Sequence, residues 1–270
     1  MDLGIFPILD NEDYVEQKHI LLPSIIDNAT KDFSKSINLK FNRIYVGSEF
    51  CERLFPSPKK LLRILRGAEE LNLKTSLVTP AMLTETGAKQ FQYIFNKLRN
   101  KNRLEIIVNC WGMLELLRDY KNLEPVFGRS LNKIKRDPRW RGDSSALKQS
   151  SLSISSFTNL LKKYRVRKIE LDNVPQGLII NSNGDELQYH LYFSKIPISF
   201  SKICVFGSTN IKGRKFSIDS PCQKECQDYS IIYRDEAGKT TEHIGRAVYM
   251  ENKNLDKINL KRISRLIFSF

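Results

Sequence analysis

The chain has 270 residues, of which 44 are basic and 30 acidic, for a formal charge of +14, and 41% are apolar and 10% aromatic. That composition excludes a disordered or low-complexity chain and supports a sizeable core, in one large α/β barrel domain or two small ones. The positive balance favours polyanions, an acidic partner protein or anionic substrates, without choosing among them.

Residues 3–9 read as a short first strand, with no basic region ahead of it, so no signal peptide is expected. No apolar stretch reaches the roughly 18–20 residues that a membrane span needs. The expectation is a cytoplasmic protein with no membrane span. Residues 10–40 are polar and mixed, helical in part. Asn42 to Gly47 is a strand and turn, followed by Ser48-Glu49-Phe50-Cys51-Glu52-Arg53. Pro58 to Leu71 keeps Leu61, Leu62, Leu65, Ala68 and Leu71 at helical spacing, with Lys59, Lys60, Arg63 and Arg66 on the other face.

Lys74 to Val78 is the next strand, and Thr84 caps a helix to Leu98. Leu104 to Asn109 is an apolar strand that exits at Cys110-Trp111-Gly112. Met113 to Leu117 begins a helix, and Glu124 to Phe127 is a strand ending in Gly128-Arg129. This alternation of strand and helix predicts a parallel sheet, open or closed into a barrel. Residues 129–156 change character: Arg129, Lys133, Lys135, Arg136, Arg139 and Arg141 precede a Ser-rich run from Ser144 to Ser156. They read either as a solvated loop or as a basic lid over an anionic ligand.

Phe157 to Tyr164 is a helix, and Val166 to Leu171 is a strand ending in Asp172-Asn173. Leu187 to Phe206 is β-rich and delivers Cys204, and Phe206 to Ser220 is a Gly/Ser/Lys insertion. Tyr229 to Tyr233 and Arg246 to Met250 read as a hairpin around Glu236–Lys239, and Leu255 to Leu266 as a basic helix, with Ile267-Phe268 in a final strand.

Cys222 and Cys226, spaced i, i+4, would share one face of a helical turn, about 5–6 Å apart at Cβ. Two distant thiols, Cys51 and Cys204, could complete a set of four. In a reducing compartment such a set points to a metal rather than to disulfides, and the count of five cysteines is odd. Soft thiolates select iron–sulfur clusters, zinc or copper(I). Structural zinc usually takes two close ligand pairs, whereas cluster ligands can be dispersed, so an iron–sulfur cluster leads, with zinc and unrelated buried cysteines as alternatives. Cys110 reads as a core thiol.

Glu49 and Asp172 follow strand ends, where barrel enzymes place catalytic groups, and either could carry a proton; an ion pair with a nearby arginine is the competing reading. Arg53 and Arg129 could clamp a carboxylate or phosphate. Glu242-His243 lacks a second histidine at metalloprotease spacing, and neither a nucleophile elbow nor a P-loop is present.

Four segments resemble the U-thirty-two peptidase family, the collagenase-like group. They are Tyr45 to Arg53, Gly128-Arg129-Ser130-Leu131-Asn132, Glu170-Leu171-Asp172-Asn173, and Cys204 with Cys222-x-x-x-Cys226. The first and last look like the short family members that assist oxygen-independent hydroxylation of ubiquinone precursors. That resemblance implies a 4Fe–4S cluster on Cys51, Cys204, Cys222 and Cys226, a single TIM-like (β/α) barrel domain over 1–270 with a C-terminal β-hairpin region, and a cysteine-bearing part at about 187–235. It also implies a component of an oxygen-independent hydroxylase, working as one half of a heterodimer with a second U-thirty-two subunit. Longer relatives act on RNA, and the group carries a peptidase name, so an RNA-binding or RNA-modifying factor and a peptidase are the alternatives. Ser48 before Glu49 and the long gap between Cys204 and Cys222 depart from the family pattern.

Overall fold

The computed structural model describes residues 2–6, 42–101, 103–132, 134, 147–180, 187–208, 216–218 and 221–269. The polar stretch 10–40, most of the basic run 133–146 and part of the insertion 206–220 lie outside them. Eleven strands and four α-helices are described. The strands are β1 (Asp2–Phe6), β2 (Arg43–Gly47), β3 (Lys74–Val78), β4 (Leu104–Val108), β5 (Leu123–Phe127), β6 (Lys168–Asp172), β7 (Gln188–Phe200), β8 (Ile231–Arg234), β9 (Thr240–Ile244), β10 (Ala247–Asn252) and β11 (Ile263–Ser269). The helices are α1 (Pro58–Glu70), α2 (Glu85–Lys97), α3 (Trp111–Leu116) and α4 (Ser155–Lys163).

Local chemistry explains the helices. Ser57 accepts the Lys60 N–H at 3.4 Å, and Pro58 occupies the first turn of α1, where no backbone donor is needed. Its face of Leu61, Ile64, Leu65 and Ala68 is buried, each large side chain contributing about 1.5–3 kcal/mol. Thr84 caps α2 by accepting from the Gly87 N–H at 3.1 Å, as its position in the sequence predicts.

All the strands join one curled, mixed sheet in the order β11-β1-β2-β3-β4-β5-β6-β7-β10-β9-β8. From β1 to β7 every pairing is parallel, and β11 pairs in parallel with both β1 and β7. β7 has thirteen residues and two roles. Its first half, to Ser194, takes β11, and the half from Ser194 onward takes β10 antiparallel. Ser194 sits at this change of partner with a positive φ of 84°.

This architecture corrects the expected TIM-like (β/α) barrel. An eightfold barrel follows each strand with a helix. Among the described residues four α-helices accompany the sheet, none lies between β6 and β7, and three antiparallel strands intervene in sequence between β7 and β11. The physical reason lies in residues 187–252, which are rich in β-branched and aromatic residues and lack an apolar period of 3.6.

Two local expectations are corrected as well. The turn at 236–239 joins β8 to β9 rather than to β10. Thr240-Thr241-Glu242-His243-Ile244 is too polar to announce itself as a strand, and its pairing with β10 and β8 makes it one. The expected helix at 255–266 is a 3-10 turn, Leu260–Arg262, running into β11. Pairing with two neighbours outweighs the helical spacing of its apolar residues.

Alternation along the strands separates two faces. Ile44, Val46, Leu77, Ile106, Leu171 and Leu191 pack outward against the helices in the main core. Their neighbours Tyr45, Val78, Ile107, Val126, Tyr192 and Ile267 form a second cluster on the inner, concave face. Among the described residues no helix is long and apolar enough to cross a membrane.

Candidate functional site

The inner face is polar at both ends. Where the strands begin, the buried Glu105 carboxylate meets Arg265 at 2.8 Å, Lys168 at 2.8 Å and Arg43 at 3.0 Å. Burial opposes that charge, and the three cations outweigh it, holding the carboxyl far below the usual range. His190 stands 3.2 Å from Arg265, and burial, joined by that positive charge, pulls its pKa down to about 3.

At the other end, the loops leaving β2 and β5 and the last residue of β6 bring Glu49, Arg129 and Asp172 together. Arg129 is fully buried. Its Nε donates to both Glu49 oxygens at 2.9 and 3.0 Å, and its Nη2 to Glu49 Oε2 at 2.7 Å. Its Nη1 donates to Asp172 Oδ1 at 3.1 Å and to the Lys195 carbonyl at 3.0 Å, and the guanidinium lies 3.6 Å from the centre of the Tyr192 ring. Burial works against this cation, but Glu49 and Asp172 hold its pKa well above the ordinary value. Arg129 is therefore occupied internally, and the strand-end carboxylates stand in the ion-paired arrangement that was the competing reading.

Two glycines permit the approach. Gly47 has φ +130°, and a Cβ there would meet the Val78 carbonyl at 2.2 Å. A Cβ on Gly128 would meet Asn109 Oδ1 at 2.1 Å. Between the two charged ends lies Glu170, fully buried, with no hydrogen bond of good geometry to either oxygen. Burial, then the Glu49 charge, push its pKa well above the carboxylate range; Arg129, Arg265 and the nearby Tyr192 hydroxyl offset part of this.

The cysteines sit beside the Glu49 end. Cys51 is buried and opens the 3-10 turn Glu52–Leu54. Glu52 Oε2 then accepts from the Thr84 N–H at 2.8 Å and from its hydroxyl at 3.1 Å, tying this loop to the start of α2. Cys51 shares a small pocket with Glu49, Gly245, Arg246 and Tyr249. Cys204 follows β7, and its thiol reaches the Gly245 carbonyl at 3.7 Å. A Cβ on Gly245 would lie 3.6 Å from the Cys226 sulfur, and one on Gly207 would lie 3.7 and 3.8 Å from the β-carbons of Cys222 and Cys204. Cys222 and Cys226 do not share a helical turn: only Glu225–Gln227 is 3-10, and Lys224 before it is left-handed.

Cys204, Cys222 and Cys226 thus lie around two glycines, and Cys51 lines the small pocket on the other side of Gly245. Burial, followed by the charges of Cys204, Cys51 and Cys222, pushes the Cys226 thiol up to about 12. Cys51 is raised too, by burial first, with Arg246 opposing. A metal centre bound here would have to displace the proton of each raised thiol. Arg246 is buried, and its Nε has no acceptor, an orphaned donor beside Cys51. Among the described residues no group of three or more His, Cys, Asp or Glu is placed to hold a single metal ion. All five cysteines are free, and Cys110 packs against the main core.

Arg53 lies by the cysteine loops, its Nη2 donating to the Ile218 carbonyl at 3.3 Å. Glu170, Glu105, Arg265 and Arg246 escaped sequence reasoning. The signal for Glu105, Glu170 and Arg265 was a charge set inside an otherwise apolar strand, as in Leu104-Glu105-Ile106-Ile107-Val108, whereas Arg246, in the turn between β9 and β10, gave none. No family model matches this chain, and no curated protein matches its sequence.

Proposed function

We propose that the chain is an iron–sulfur protein in which Cys51, Cys204, Cys222 and Cys226 hold a 4Fe–4S cluster. The reaction we assign is an oxygen-independent hydroxylation or a related redox step, in line with the resemblance to the U-thirty-two family. One observation supports the reading: Cys204, Cys222 and Cys226, remote in sequence from Cys51, gather around Gly207 and Gly245, and Cys51 lines the pocket beside Gly245. The wide donor set favours a polynuclear centre over zinc.

When bound, the cluster supplies reversible one-electron transfer. The protein's own groups have defined tasks around it. Arg246 offers a buried N–H and a positive charge against the added negative charge of the thiolates. Phe50, which lines the pocket beside Cys51, packs its ring 4.8 Å from that of Phe200 and 6.1 Å from that of Tyr249 and gives the pocket an apolar side. Glu49, locked by Arg129, fixes the loop that presents Cys51. A second subunit of the same family, and an anionic small molecule or RNA as substrate, belong to the same proposal.

The test is purification without oxygen, with iron and acid-labile sulfide measured per chain. Four of each, with a broad visible absorption lost in Cys226→Ser, is the expected result. A colourless chain, or one that carries zinc alone, refutes the proposal.

A further inference from the structure

At the end of the sheet where the strands begin, away from the cysteines, a cavity of about 850 Å³ opens between the starts of β5, β6 and β7. Its charged lining is Arg103, Lys121, Arg165, Arg167 and Lys168 against the single carboxylate of Glu124. That carboxylate is already neutralised, since Lys168 Nζ lies 3.0 Å from it and 2.8 Å from Glu105. Arg165 is half-buried and held in place, donating to the Leu117 carbonyl at 3.0 Å. Arg103, Lys121 and Arg167 have neither a carboxylate nor a hydrogen-bond acceptor for their side chains among the described residues.

We infer that this cavity is a binding site for phosphate groups, recognised through the Arg and Lys side chains that line it. Three uncompensated cations around one concavity repel one another, and an anion removes that penalty. Arg103 and Arg165 both stand at positive φ, 58° and 60°, where glycine or asparagine is the usual choice. Arginine at both positions breaks the local preference and brings two planar forks to the same cavity. Guanidinium forks match phosphate oxygens two at a time. The lining holds no aromatic ring on which a base could stack, so recognition runs through the phosphates. A space of this size accommodates a polyphosphate-bearing small molecule, or a stretch of nucleic-acid backbone laid across its mouth. The inference does not depend on the cysteines holding a metal.

The experiment uses the full chain with two probes, inorganic tripolyphosphate and a labelled single-stranded oligonucleotide, in calorimetry and fluorescence anisotropy at low and moderate salt. The variant Arg103→Gln/Lys121→Gln/Arg167→Gln is compared with a control, Lys59→Gln/Arg66→Gln/Lys162→Gln, which removes the same charge from exposed helix positions. All the replaced side chains are exposed, so both variants fold, as circular dichroism will verify. We expect the cavity variant to lose about tenfold or more in affinity, with a shallower salt dependence, and the control to lose much less. Tripolyphosphate binding without oligonucleotide binding supports the site and assigns it to a small phosphorylated ligand. Oligonucleotide binding that tripolyphosphate displaces supports it and assigns it to a backbone. Equal losses in the two variants, or no binding of either probe by the unmodified chain, overturn it.

Discussion

Glu170→Gln tests a buried carboxyl whose oxygens make no hydrogen bond of good geometry among the described residues. Glutamine has nearly the same shape, so the substitution exchanges a proton-binding group for a neutral one without opening a cavity. Burial and the Glu49 charge keep the Glu170 carboxyl protonated in the fold well above its ordinary value of 4.5. The unfolded chain releases that proton once the pH passes 4.5, and the fold does not. The contribution of Glu170 to stability is therefore complete below that pH and is lost progressively as the pH rises toward the folded-state value. The slope approaches about 1.4 kcal/mol per pH unit wherever the unfolded chain has lost the proton and the fold still holds it, so above pH 5 the unmodified protein loses stability that the glutamine variant keeps. The amide's own burial adds an offset that does not change with pH. Urea unfolding followed by circular dichroism at pH 5, 6 and 7 reads the difference between the two proteins directly. A difference that stays constant over that range would mean that Glu170 is ionised in the fold, and would refute the account of the inner face given above.

Three further outcomes follow from the same geometry. Arg129→Met leaves Glu49 and Asp172 buried without their cation and should cost about 3–5 kcal/mol in chemical denaturation; a loss below 1 kcal/mol would show that the carboxylates reach solvent. Gly128→Ala drives a methyl group against the Asn109 side chain and the Val108 carbonyl and should destabilise by about 1–3 kcal/mol, so an unchanged denaturation midpoint would count against the close approach of these loops. The His190 ring, with its pKa drawn down to about 3, should show no chemical-shift titration between pH 5 and pH 8, and a midpoint near the ordinary histidine value would contradict its burial beside Arg265.

Much of the local structure is legible in the residues. Pro58 to Leu71, Lys74 to Val78 and Thr84 to Leu98 form the elements that their apolar spacing and caps announce, because each is decided by contacts within a few residues. Polar Thr240 to Ile244 becomes a strand only through its two neighbours, and residues 263–269 do so by pairing with β1 and β7. The candidate site divides in the same way. Cys51, Cys204, Cys222 and Cys226 are visible in the sequence as a possible set, but their placement around Gly245 is not. Arg129 reads equally as a substrate clamp or an internal partner until Glu49 and Asp172 are seen to fill its fork.

By itself, then, the sequence determined the parallel strand–helix run of the first half, the excess of positive charge and the chemical type of the cysteines, since these are properties of spacing and composition. Tertiary structure alone decided that the sheet curls into a mixed assembly instead of an eightfold barrel, that its inner face buries opposed charges with Glu170, its pKa raised by burial, between them, and that Arg103, Lys121 and Arg167 gather at the far end. The physical reason is that hydrogen bonding between strands, desolvation and Coulomb interactions act between groups brought close in space, whatever their separation along the chain.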